Sequence, residues 1–382
     1  MTPQPQPLTT ATSLSPPMWP TAGFSFDSAQ AAARRATKPR VEDFYTRYGN
    51  PTVQAFADAV AGLEGAEAAM CSASGMGAVS TIVLGLCSAG DHIVTQRQLF
   101  SATRQLFETV CPRFGIEVSF VDVCDRREWL RAIRPGQTRL VFAESPANPT
   151  LELVDLAAIG SITDVVTAVD STLATPLAQR PLDHGIDLVI HSATKALSGH
   201  NDATLGVIAG EKTLVNELWQ YAVIQGATAS PYDSWNALRG LKTLELRFAR
   251  QSESAGQLAS MLATHPAVRR VFHPCLAEGD QGELARTQLL GGLGLVSFEV
   301  CGGREGALGF IDRLGIPLLA PSLGGPETLV NHPASMTHVG LSPEQRATAN
   351  ITDGLVRMSL GLEPPAELLR DVREALISPA QC

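Results

Sequence analysis

The 382-residue sequence predicts an α/β fold, a mainly parallel sheet with helices on both faces, followed by a smaller α+β domain. Two observations predict it. Between residues 67 and 209 short apolar runs alternate with helix-period stretches, the pattern of parallel strands joined by crossover helices. Beyond residue 294 the pattern changes to an alternating strand followed by amphipathic helices. The length also exceeds what one hydrophobic core usually serves, which favours two domains.

In chain order, the first twenty residues are rich in Pro, Thr and Ser, carry no Lys or Arg, and read as a flexible arm. They have neither the basic start nor the apolar run of a signal peptide. Phe44–Thr52 is extended and ends in the turn signal Gly49-Asn50-Pro51. A helix-period stretch runs from there to about Gly62. Strands are expected at 67–72, 90–95, 116–121, 138–143, 165–169, 186–191 and 204–209, with helices at 76–88, 101–110 and 126–134 between them. Residues 234–263 read as one long helix or two joined ones, leading to a strand at Gly294–Val300 and helices at 304–314 and 364–377. The expected division is an arm over 1–48, a large domain over 49–246 and a small domain over 247–382.

A net charge of −9 argues against a nucleic-acid groove or a membrane-surface face. Seven scattered cysteines without a C-x-x-C read as reduced thiols in a cytoplasmic protein. The histidines show no H-E-x-x-H spacing, so no metal site is expected.

Three segments carry chemistry. In Cys71-Ser-Ala-Ser-Gly-Met-Gly-Ala78 a strand turns on small residues into a helix, whose free N–H groups suit a phosphate. Neither a G-x-x-x-x-G-K-[ST] nor a G-x-G-x-x-G is present, so nucleotides are not favoured. The strand Val165–Asp170 ends in a carboxylate that needs a cation or caps the following Ser171-Thr172 turn. The strand at Val189 runs into His191-Ser-Ala-Thr-Lys195, placing a lysine between hydroxyls at the same sheet edge. A lysine to carry the carbonyl, an acid for the ring nitrogen and a phosphate cradle are the requirements of pyridoxal phosphate.

With these parts assembled, the sequence resembles the pyridoxal-phosphate enzymes of cysteine and methionine metabolism, the family of cystathionine γ-synthase, cystathionine and methionine γ-lyases and homoserine-ester sulfhydrylases. The resemblance runs from about Tyr45 to Glu363 through Tyr45–Thr52, Ser74-Gly-Met76, Glu144-Ser-Pro-Ala-Asn-Pro149, Ser192-Ala-Thr-Lys195, Ser230–Asp233, Leu238–Leu244, Ser322–Gly325, His332–His338 and Val356–Glu363. It implies fold-type I architecture and chemistry at the γ-carbon of an L-amino acid. Lys195 would hold the cofactor and shuttle protons, and Asp170 would pair with the ring nitrogen. Ser74, the Gly75 and Met76 amides and the Ser192 and Thr194 hydroxyls would form the phosphate site. Tyr45 and Arg47 would complete that site in a neighbouring subunit, making the enzyme a dimer or a homotetramer. Arg357 would bind the substrate carboxylate, helped by Asn148 and Ser322.

The sequence also departs from the family. Phe100 in Phe100-Ser-Ala-Thr103 stands where a tyrosine usually covers the ring. Losing that hydroxyl tilts the expectation toward γ-substituents that depart without protonation, such as acyloxy groups or halides, and away from thioethers. Asp170-Ser-Thr-Leu173 replaces the common Asp-Asn-Thr-Phe, and Ala102 and Ala222 stand nearest the cysteine and lysine of dedicated methionine γ-lyases. Glu327 and the His332–His338 run instead look like the synthase and lyase branch. The alternatives are a C–S γ-lyase, a lyase for an unusual amino acid, an inactive relative, and a serine hydrolase using Ser192-x-x-Lys195. The last lacks a K-T-G, since Lys242-Thr243 is followed by Leu244.

Overall fold

The computed structural model describes residues 14–376. Its seven-stranded sheet comprises β1 (Ala68–Ser72), β2 (His92–Gln96), β3 (Glu117–Val121), β4 (Thr138–Glu144), β5 (Val166–Asp170), β6 (Leu188–Ser192) and β7 (Gly206–Gly210), in the order β1-β7-β6-β5-β4-β2-β3. The neighbours β6-β5-β4-β2-β3 are parallel, and β7 lies antiparallel to both β6 and β1. Two reversals leave β1 pointing the same way as β6. The carboxyl ends of β1, β2, β4, β5 and β6 therefore meet at one edge, where ligands of open α/β sheets collect. Apolar side chains cover both faces, Ile82, Phe107 and Phe142 in one cluster and Phe56, Val189 and Val207 in another.

A second sheet holds β8 (Val268–Phe272), β9 (Leu295–Val300), β10 (Leu318–Leu319), β11 (Leu329–Asn331) and β12 (Leu355–Ser359), in the order β10-β11-β12-β9-β8. Only the β10–β11 pair is parallel. Phe298, Phe310, Met358 and Leu368 fill its core.

Helix starts follow local chemistry. Asn50 caps α1 (Pro51–Glu64), whose first position is proline, and Gly65 closes it at φ 69°. Ser74 caps α2 (Gly75–Leu86) by accepting from the Gly77 amide. The predicted helix over 101–110 is α-helical only at Ser101–Gln105 and widens to a π-turn at Leu106–Val110. Pro112 has no N–H for the carbonyl four residues earlier, and the Cys111 amide reaches back five residues to Leu106 instead. Residues 234–263 resolve into two helices, Pro231–Leu241 and Leu244–Ala263. Buried Arg247 ties the second helix to the Ala196 and Gly240 carbonyls.

Two expectations need correction. The first twenty residues are not all free: the Pro16 carbonyl accepts from Trp235, and Trp19 bonds Thr52 and Asn50. Residues 1–13 lie outside the described part. Cys301 is disulfide-bonded, so the seven thiols are not all reduced, although Cys71, Cys87, Cys111, Cys124 and Cys275 are free. Among the described residues no helix is long and apolar enough to cross a membrane, and no group of three acidic, His or Cys side chains is placed to hold a metal.

Candidate active site

The strand ends build a cavity of about 230 Å³. Glu144 and Asp170 are the last residues of β4 and β5 and are direct partners in the parallel register, so two carboxylates stand side by side at its floor. Ser192 ends β6, and the turn Ser192–Lys195 brings the lysine over the same opening. The start of α2 packs against this turn so closely that a Cβ on Gly75 would sit 2.8 Å from the Ser192 Cβ. Only glycine permits that approach.

Lys195 Nζ donates to Ser322 Oγ at 3.1 Å. Burial, and then the Arg357 charge, hold its ammonium below the ordinary lysine range. That favours the neutral amine, the form that attacks a carbonyl or takes a proton. Asp170 accepts from the Thr172 amide and hydroxyl, both on Oδ1. The capping reading is therefore met by one oxygen, while the carboxyl still borders the cavity and, among the described residues, has no ion-pair partner. Burial raises its pKa against those two donors.

At the α2 start, Ser74 Oγ and its carbonyl accept from the Gly77 and Ala78 amides. The Gly75 and Met76 amides are left to point outward from the helix N-terminus. Thr194 Oγ1 accepts from the Leu205 amide at 2.9 Å and donates to the Leu205 carbonyl at 3.2 Å. Ser192, Thr194, Ser74, Gly75 and Met76 all line the cavity.

Arg357 enters from the second sheet, on β12 between Ser297 of β9 and Asn331 of β11. Its NH1 donates to Asn148 Oδ1 at 2.9 Å and its NH2 to the Ser322 carbonyl at 3.0 Å, while Nε has no partner. Burial lowers this guanidinium to about 10 even with Glu144 nearby. His338, fully buried, is pushed down to about 4 by burial and then by Arg357, so it stays neutral beside that charge.

Phe100 borders the cavity with 37% of its surface exposed. Its amide donates to Glu144 Oε2 at 2.7 Å. Glu144 appeared in the sequence only as the start of a polar corner; the structure puts its carboxyl in the site wall, 5% exposed. Burial, then Asp170, pushes it up to about 8, against the two amides it accepts from. Tyr45 and Arg47 are not brought into this cavity. Arg47 stacks on Tyr45 and Tyr48 and donates to the Val223 carbonyl, and Tyr45 is 43% exposed.

The Cys/Met metabolism PLP-dependent enzyme family matches residues 2–377. The chain belongs to that family. It is 41% identical to an O-succinylhomoserine sulfhydrylase of Pseudomonas aeruginosa, over 94% of this chain and 90% of the relative. It is 39% identical to an L-methionine gamma-lyase of Fusobacterium nucleatum, over 95% of this chain and 93% of the relative. The solved cystathionine gamma synthase of Xanthomonas oryzae pv. oryzae, in complex with aminoacrylate and cysteine, is 36% identical with a TM-score of 0.89 over 95% of this chain and 93% of that one. As a member, the chain is a pyridoxal-phosphate enzyme. The cavity fits the cofactor: a strand-end carboxyl with no ion-pair partner among the described residues, amides exposed at a helix start, and a glycine whose side chain would collide with Ser192 beside them.

Proposed function

We propose that the protein catalyses replacement or elimination at the γ-carbon of an L-amino acid whose γ-substituent departs readily, an O-acylhomoserine-type substrate being the leading class. One observation carries this reading: Lys195, Asp170, the α2 start and Arg357 face a single cavity. When bound, pyridoxal phosphate supplies an electrophilic carbon for the amine and a sink for the electrons freed at Cα.

The chain's residues do the rest. The α2 amides with Ser192 and Thr194 hold the phosphate, and Asp170 holds the ring nitrogen as a cation. Asn148 and the Ser322 carbonyl aim the Arg357 guanidinium at the substrate carboxylate, for which a planar two-donor fork is suited. Lys195, favoured as the neutral amine, takes the proton from Cα and returns it later in the reaction. Ser322 touches both Lys195 and Arg357, so the group that moves the proton and the group that fixes the carboxylate share one anchor. Phe100 supplies a ring face for stacking and no acid for the departing group. The γ-lyase names among the relatives keep C–S cleavage as the second reading.

Tyr45 and Arg47 serve the phosphate site of a second copy, so the working unit is at least a dimer and the family-like form a homotetramer.

Purified protein is expected to show the visible absorption of lysine-linked cofactor, and Lys195→Ala to abolish it. A colourless protein after saturation with pyridoxal phosphate would sink the assignment. A panel of homoserine esters, thioethers and γ-halogenated amino acids, with and without a thiol, then separates new thioether from oxo acid.

A further inference from the structure

Glu144 joins two parts of the site that belong to different loops. Its backbone is pinned first: the amide donates to Gln96 Oε1 at 3.0 Å and the carbonyl accepts from Gln96 Nε2 at 2.9 Å. Its two carboxyl oxygens then divide. Oε2 accepts from the Phe100 amide at 2.7 Å and Oε1 from the Asn148 amide at 2.8 Å. Phe100 opens its helix with no side-chain cap, and Asn148 is the residue that holds Arg357 NH1. A single carboxyl therefore sets both the ring-facing residue and the guanidinium. Both carboxyl oxygens can accept, whereas an amide in its place has one accepting oxygen and an NH2 that only donates, and it leaves one of the two buried N–H groups facing another N–H.

We propose that Glu144 is a positioning residue that couples the Phe100 ring to the Asn148–Arg357 carboxylate hold, so that seating the substrate carboxylate and ordering the ring are one event. This rests on the cofactor reading given above. It assigns Glu144 no contact with the reacting atoms; its effect passes through Phe100 and Asn148.

The test uses the holoenzyme and an α-methyl amino acid, which binds but has no Cα proton to lose. Its Kd is read from the change in the visible cofactor band, and the ring environment from the visible circular dichroism of the same band. E144Q is expected to keep the lysine-linked band, to weaken the Kd about tenfold and to alter the dichroism. The distinguishing readout is a double-substitution cycle of Phe100→Leu with Asn148→Ala on that Kd. With Glu144 present the two effects are expected to depart from additivity about fivefold or more, and in the E144Q background to add within about twofold. A merely structural role would leave the cycle additive in both backgrounds and overturn the proposal. So would an unchanged Kd in E144Q. If E144Q does not fold, E144D, which keeps the carboxyl but is too short to reach both amides, is run through the same cycle, and strong coupling retained there would overturn the proposal. Absence of the band in the unsubstituted protein would instead defeat the cofactor reading.

Discussion

We propose that Phe100, which stands where the family pattern expects a tyrosine, is where this chain's chemistry departs from that pattern. Its backbone is held by Glu144 and its ring borders the cavity, so a tyrosine there would place a hydroxyl near the departing γ-group without moving the chain. Phe100→Tyr is expected to raise kcat/KM for thioethers relative to homoserine esters by roughly tenfold, the lower range for a positioned proton donor being about a hundredfold. Competition between the two substrate types measures it; an unchanged ratio would count against the role assigned to the missing hydroxyl. Glu144 gives a second expectation at this scale. Its folded pKa of about 8 lies above the ordinary glutamate value, so the stability tied to its proton is full at acid pH and is lost as pH rises through about 8. Cofactor-free protein should lose stability across that window in denaturant titrations. A cation seated beside Asp170 offsets the neighbour that helps raise Glu144, so loading with cofactor should flatten the slope.

At the scale of elements, the phosphate cradle depends on how closely α2 approaches β6. A methyl on Gly75 would lie 2.8 Å from the Ser192 Cβ and 2.9 Å from its Oγ, and relieving such overlap costs about 1–3 kcal/mol. Gly75→Ala is therefore expected to weaken pyridoxal-phosphate affinity roughly tenfold or more while the sheet still forms; equilibrium dialysis gives the number, and an unaltered affinity would mean that the helix start does not hold the phosphate. These elements were largely legible in the sequence. Each of the seven expected strands falls within two residues of an observed one, because strands buried on both faces read as continuous apolar runs. The helix at Lys212–Gln225 and the strands β8, β10, β11 and β12 are among the elements not expected from the sequence. The helix mixes polar and apolar residues over most of its surface. Strand β12 is short, and Arg357 at its centre interrupts the apolar run. Lys195 and Asp170 are legible because a charge at the end of an apolar run is conspicuous, and Arg357 only through the resemblance to the family. Glu144 is not, since its partners are set by how β4 lies beside β2 and by Phe100, which starts a helix four residues beyond β2.

For the whole molecule, the position of Tyr45 and Arg47 outside the cavity that holds Lys195 sets the expectation of shared sites. Mixing subunits carrying Arg47→Ala with subunits carrying Lys195→Ala, each nearly inactive alone, should restore roughly a quarter of normal activity. Half of randomly formed dimers are mixed, and each of those has one intact site. No recovery after verified subunit exchange would return both residues to their own chain. The role proposed for both is invisible to composition and periodicity because it would depend on a second copy. The placement of Arg357 has a further consequence. Lys195 sits in the turn that follows β6 of the seven-stranded sheet and Arg357 in β12 of the five-stranded one, and an amino acid held by its amine at the first and its carboxylate at the second would tie them together. The substrate then acts as a removable crosslink. The protein should be stiffest, and its two sheets most nearly a single unfolding unit, during the interval in which bonds are being broken.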